Sequence, residues 1–307
     1  MNTTFWGPSG WTFLHTLTFI YPKTPSYTDK VTMEKFMNSI SYILPCKYCR
    51  ASFYNYTKSL PITNFLDTRE KIIEWLYKIH NKVNKKLRSQ GLCKHKNPDL
   101  NDVKNKYIPI IEKINSLCNN SNTNTSTNTK TKTRANSTTN TTTRTTLQKL
   151  INYICNLGKE FLGSIVFNYQ GYFSNCHTID EKLNIIHVYH TFFNSILPLL
   201  YSYLIKFSKE CHTLSRDNTK LNTKFTTKFN IKHILNQNEA YSKLIKWFYE
   251  CDQLCTFHNQ DETKTFEDYT NYYKKHIVLS CNNPLTVNGK KLKSCRKTIT
   301  KLTKKKL

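Results

Sequence analysis

The chain has 307 residues, 38% of them hydrophobic and 13% aromatic. That is enough for two modest units, each with its own core, and it excludes wholesale disorder. Seven glycines and nine prolines disfavour a turn-rich sandwich and point to helices, so the fold class expected is all-α. The formal charge of +26 admits a nucleic-acid partner, but it is spread as +10 over residues 1–118, +4 over 119–146 and +12 over 147–307. Its one dense run, GKKLKSCRKTITKLTKKKL from Gly289, suits a solvated tail that meets acidic partners without sequence specificity.

In chain order, Pro8 and Ser9 are placed to start a first helix, with Trp11, Leu14, His15, Thr18 and Phe19 at helical spacing and Tyr21-Pro22 ending it. Thr28 or Asp29 caps a second helix carrying Val31, Met33, Phe36, Ile40 and Ile43. Pro45 stands where a third helix begins, which sets Cys46 in its first turn and Cys49 one turn later. Asp67 or Thr68 opens a long fourth helix whose Ile72, Leu76, Ile79, Val83 and Leu87 form one apolar stripe. A weaker fifth pattern runs from Asp99 to Leu117, disturbed at Pro109.

Residues 119–146, NNSNTNTSTNTKTKTRANSTTNTTTRTT, hold one apolar side chain, Ala135, and no acid. Such a stretch buries too little surface to offset its ordering entropy and reads as a flexible linker between unit 1–118 and unit 147–307. The second unit has helical periods around 147–167, 180–208 and 239–255, and no motif in it specifies a chemistry. The longest apolar run, near Ile196 to Ile205, is about half the ~20 residues of a membrane helix, and no charged-then-apolar leader opens the chain. A cytosol-like compartment without membrane attachment is expected.

Eleven cysteines leave at least one without an intramolecular partner, and without a leader a secreted disulfide scaffold fits poorly. No Cys/His grouping has the paired spacing of a zinc site, so no metal is expected. Cys46-x-x-Cys49 is the pair with chemistry in it. A helix N-terminus stabilises a thiolate, Lys47 and Arg50 add positive charge, and two cysteines three apart can close a readily exchanged disulfide. On its own the motif leaves open the less favoured readings of two buried structural thiols or half a metal site.

Around it lie WGPSGWTFLHTLTFIYP (Trp6 to Pro22), LPCKYC (Leu44 to Cys49) and EWLYKIHNKVNKKL (Glu74 to Leu87). In this order and at these distances the trio resembles the Erv/ALR family of FAD-linked sulfhydryl oxidases over about residues 5–115, and is most like the short versions of large DNA viruses. The resemblance implies a four-helix bundle plus a short fifth helix, holding FAD noncovalently with the Cys46–Cys49 disulfide beside its ring. It places Trp11 and His15 on the first helix against the flavin, together with Gly7, Pro8, Gly10, Thr12 and Ile20. On the fourth helix it assigns His80, Asn81, Val83, Asn84 and Leu87, with Lys86 toward the phosphates. His80 and Asn84 are four apart and share one face, as a polar clamp requires, and Trp11 and His15 share the same spacing. Cys49 is implied as the flavin-proximal thiol, while Cys46, nearer the surface, exchanges with the substrate dithiol.

Two departures stand out. The family's C-x16-C staple on the fourth helix is absent, because Tyr77 occupies its first position and leaves Cys93 without that partner. The aromatic residue closing the adenine pocket has no clear counterpart, and Tyr107 is left unassigned. A second, mobile cysteine pair that relays electrons has two candidates, Cys251/Cys255 and Cys281/Cys295.

The function expected is disulfide formation in dithiol protein substrates with O2 reduced to H2O2, by a homodimer acting in host cytoplasm or virion. The composition, rich in Asn, Lys, Thr, Ile and Tyr, suits an AT-rich viral genome. The alternative is a basic nucleic-acid-binding or virion-packaging protein with a degenerate oxidase-like portion, although the aromatics form no recognisable RNA-binding signature.

Overall fold

A computed structural model of the protein describes residues 3–119, 150–151, 153–173, 178–210, 240–256, 265–276, 286–287 and 290–291. These residues are almost wholly helical, as expected; among them the one extended pairing joins Thr286–Val287 to Lys290–Lys291. The linker expected at 119–146 lies outside the described residues apart from Asn119.

Helix α1 (Thr3–Phe19) starts earlier than its sequence signals, with Pro8 inside it. The reason is tertiary. Phe5 stacks on His276 with ring centroids 3.8 Å apart, and Trp6 packs on Phe161, so distant residues hold the extra turn that local propensity does not specify. Helix α2 (Tyr27–Ile43) is capped by Ser26, two and three residues before the candidates Thr28 and Asp29. Asp29 is instead the N3 partner of a reciprocal capping box, a cap worth about 1 kcal/mol. Cys46 is the N-cap of α3 (Lys47–Ser59), and a single 3-10 turn at Ile62–Phe65 leads to Thr68, which caps α4 (Arg69–Ser89). Gly91 closes α4 at φ 69°, with its own N–H bonded to the Arg88 carbonyl and that of Leu92 to the Leu87 carbonyl. The fifth helix, α5 (Leu100–Asn119), is longer than expected and continues through Pro109.

No staple ties α4 to the segment after it. Hydrogen bonds do this instead: the Tyr77 hydroxyl donates to the Pro98 carbonyl at 3.1 Å, and Arg88 donates to Asn97 Oδ1 at 2.7 Å.

Residues 150–151 and 153–157 are helical, followed by α6 (Lys159–Phe173), α7 (Ile179–Glu210), α8 (Ala240–Thr256) and α9 (Phe266–Lys274). Helix α6 packs on α1 and α7 packs on α2. One continuous apolar cluster joins Phe13, Phe36 and Trp75 to Phe161, Phe192 and Leu204. Gly158 allows a close approach to α1, since a Cβ there would meet the Phe13 ring at 2.7 Å. The polar seam of this contact is Asp29, 3% exposed and paired with Lys206. Burial alone would raise its carboxyl, but hydrogen bonds from Lys206 and Ser26 outweigh that and hold it below its ordinary value. The Tyr203 hydroxyl also donates to the Asp29 carbonyl at 3.1 Å. No helix among the described residues is long and apolar enough to cross a membrane.

Candidate functional site

The apolar stripe on α4 explains where the site lies. Ile72, Leu76 and Ile79 are buried in the core, but one and two turns further on Val83 and Leu87 face open space between α1, α3 and α4. There they line a cavity of about 130 Å³ that opens to solvent.

Both cysteines line this cavity. The backbone of α3 sets their spacing, since the Cys49 and Arg50 N–H groups both bond the Cys46 carbonyl at 2.9 Å. Contrary to expectation, Cys46 is the more buried of the two, 1% exposed, while Cys49 is half-buried. The N-cap position tucks Cys46 under the α2–α3 corner beside buried Leu44, whereas Cys49, inside α3, presents to the cavity.

The two sulfurs share a hydrogen bond, and it divides them chemically. Donation from the Cys49 thiol lowers Cys46 to about 7 against the opposing effect of burial, with help from the Cys49 and Tyr48 N–H groups and the Arg50 charge. The same contact, together with burial, pushes Cys49 up, while Lys86 and Arg50 pull it down. Lys86 reaches across from α4 to donate to the Ser52 hydroxyl, which brings its charge to α3.

Gly7, Gly10, Trp11, Val83, Lys86 and Leu87 line the cavity together with the two cysteines. A Cβ at Gly7 would meet nothing within 4 Å, so that wall is open. The seven other expected residues, Pro8, Thr12, His15, Ile20, His80, Asn81 and Asn84, do not line the cavity. Trp11 stacks on His80 at 3.8 Å and 7°, and His80 Nδ1 meets His15 Nε2 at 3.2 Å. Burial pushes His15 down to about 3 and His80 down to about 4, so the pair is neutral, and His15 Nδ1 is buried without a hydrogen-bond partner. The Thr12 hydroxyl donates to the Pro8 carbonyl at 3.1 Å. Ile20 is wholly buried in the core, while Asn81 and Asn84 are half-buried on α4 and do not line the cavity.

Sequence reasoning missed Trp6, Leu44, Tyr48, Ser52, Gln90 and Phe161 as cavity residues. Trp6 and Leu44 sat inside quoted motifs, and Gln90 directly precedes the helix-ending Gly91, so each had a local signal. Phe161 had none. Tyr107, left unassigned, is buried and stacked on His15 with ring centroids 4.9 Å apart. Cys251 and Cys255 fall in the last turns of α8; Cys281 and Cys295 lie outside the described residues. Among the described residues no group of three or more His, Cys, Asp or Glu could hold a metal ion.

The residues present fit a flat, largely apolar group carrying polar edges and an anionic tail. Trp11, Val83 and Leu87 provide apolar walls, and Lys86 provides a cation. Trp6 Nε1 and Gln90 Oε1 are a buried donor and a buried acceptor without partners among the cavity residues. FAD has that chemistry.

The Erv1 / Alr family model matches residues 8–107. The probable FAD-linked sulfhydryl oxidase of Acanthamoeba polyphaga mimivirus is 39% identical over 85 residues, 27% of this chain and 59% of that protein. The mitochondrial FAD-linked sulfhydryl oxidase of Saccharomyces cerevisiae is 39% identical over 82 residues, 27% of this chain and 42% of that protein. The FAD-linked sulfhydryl oxidase of African swine fever virus is 32% identical over 82 residues, 27% of this chain and 67% of that protein. The chain thus spans about half the length of the first two relatives. No solved structure matches it.

Proposed function

The chain belongs to the Erv1/Alr family, and from that premise we propose that it is an FAD-dependent thiol oxidase that makes disulfides in protein dithiols and passes the electrons to O2. The observation that carries this reading is the pair Cys46–Cys49 in the wall of a cavity whose other walls suit a flavin. Gly7, Trp11, Val83, Lys86, Leu87 and Gln90 would hold the cofactor, with His15 and His80 behind Trp11. FAD, when bound, would supply a two-electron acceptor that O2 reoxidises to give H2O2.

The thiol chemistry is then set by the chain itself. A substrate thiolate attacks Cys46 Sγ of the oxidised pair, the Cys46–Cys49 bond breaks, and Cys49 leaves as a thiolate. The second substrate thiol, as its thiolate, attacks the substrate sulfur of the mixed disulfide, releasing a closed substrate disulfide and a Cys46 thiolate. The electrostatics support this division of roles. The first cause raising Cys49 is its hydrogen bond to the Cys46 sulfur, and the Cys46 charge adds to it. Once Cys46 is tied up in a mixed disulfide both vanish. Burial is then opposed by Lys86 and Arg50, which favour the Cys49 thiolate. One substrate dithiol and one O2 give one disulfide and one H2O2.

The relatives from two large DNA viruses support a viral origin, and with it action in host cytoplasm or virion. A homodimer would have to form away from the faces of α1 and α2 that α6 and α7 already cover. The test is a visible spectrum of the purified full-length protein, before and after anaerobic dithiothreitol. Bound flavin that bleaches and recovers in air is expected, and Cys49→Ser should keep the flavin while losing at least about a hundredfold in thiol-driven bleaching. A colourless protein, or bleaching unaffected by Cys49→Ser, sinks the proposal.

A further inference from the structure

One part of the cavity wall is not built from the family-matched residues 8–107. It is aromatic and composite. Trp6 comes from the first turns of α1 and Phe161 from α6, more than forty residues beyond the last family-matched position, and both line the cavity. Their ring centroids are 5.9 Å apart at 37°.

Phe161 is held in place from three sides. Its backbone N–H donates to Ser9 Oγ at 3.0 Å, and the Ser9 hydroxyl donates to the Trp6 carbonyl at 3.2 Å, which couples α6 to the turn carrying Trp6. Gly10 gives its ring room, because a Cβ there would meet Phe161 Cδ2 at 3.0 Å and Cγ at 3.2 Å. Phe13 and Phe192 flank it at 6.3 and 6.5 Å. A ring fixed by a backbone hydrogen bond, a glycine and two aromatic neighbours has little freedom left to lose when a ligand arrives. Beside it, Trp6 Nε1 is a buried donor with no partner, which is costly unless something in the cavity accepts from it.

We infer that the C-terminal helices are part of the cofactor site: Phe161, with Trp6, is a flavin-contacting wall supplied from outside the family domain. This rests on the FAD-binding reading above. It also gives Gly10 a different role from the one expected by resemblance, since its missing side chain makes room for Phe161.

The full-length protein tests this through equilibrium binding of FAD, followed by fluorescence quenching and the visible spectrum, together with the melting temperature. Phe161→Ala should weaken FAD binding about tenfold and shift the bound-flavin absorbance; Phe161→Leu, which keeps bulk but loses the ring face, should give the same shift with about threefold weaker binding. Leu204→Ala removes comparable buried bulk from α7 away from the cavity, and should lower the melting temperature while leaving FAD affinity within about twofold. If both Phe161 variants bind FAD with wild-type affinity and spectrum, and only melt earlier as Leu204→Ala does, the inference is overturned. Wild-type protein that retains no flavin overturns both this and the function it rests on.

Discussion

Residues 8–107 and the helices after residue 150 do opposite things with similar materials. In the first region aromatic and histidine side chains surround a cavity: Trp11 stacks on His80, His80 meets His15, and two cysteines face in from α3. In the second region the aromatics fill space, apart from Phe161 in the cavity wall. Phe192, Phe207, Tyr203 and Tyr273 pack against the first region or against one another, and among the described residues no group of three or more His, Cys, Asp or Glu could hold a metal ion. A family match stops near the end of the first region, yet the core does not. The stretch that carries the chemistry and the stretch that carries the fold are therefore different lengths of chain.

The strongest way to break that contrast is to damage packing in the second region and watch the first. Phe192 is wholly buried and stacks on Phe36 of α2 with centroids 5.4 Å apart. Phe192→Ala should cost about 3 kcal/mol and lower a single unfolding transition shared by flavin release and loss of helix signal. Two separate transitions, with flavin release unmoved, would mean that the first region stands alone.

A second effect, smaller and confined to the first region, comes from the histidine pair. Burial holds His15 near 3 and His80 near 4, while each titrates near 6.5 once unfolded. Between those values the unfolded chain binds more protons, so stability is complete above pH 6.5 and falls as pH drops below it. The expected loss between pH 6.5 and pH 5 is about 1.5 kcal/mol per histidine. Urea unfolding at the two pH values measures it, and His80→Gln should remove close to half the slope. A slope unchanged by that substitution would place the acid sensitivity elsewhere.

How much of this could be read from the residues alone follows the same divide. The α4 stripe, the cysteine pair at a helix start and the Trp11/His15 and His80/Asn84 spacings are local patterns, and helical geometry converts them directly into faces. Asn84 shows the limit of spacing: it shares a face with His80, yet it does not line the cavity. The early start of α1 and the role of Phe161 were beyond local reading, because each depends on residues more than a hundred positions away. The burial of Cys46 was missed for a related reason. Helix position sets the direction of a side chain, but the α2–α3 corner above it decides exposure.

The smallest effect separates the two cysteines themselves. In the reduced protein the Cys49 thiol donates to Cys46, whose ionisation is lowered to about 7, while Cys49 is pushed up. Alkylation by a small reagent should therefore rise through a midpoint near pH 7 and fall first on Cys46, despite its burial, because the thiolate is the nucleophile. Cys49→Ser replaces the donating thiol with a hydroxyl that can also donate, so the midpoint should move little; Cys49→Ala removes the donor and should move it up toward the ordinary thiol value. Peptide mapping after brief alkylation at pH 6, 7 and 8 distinguishes the outcomes. Modification that falls first on Cys49 at every pH would mean that access through the cavity, rather than the shared hydrogen bond, governs which sulfur reacts.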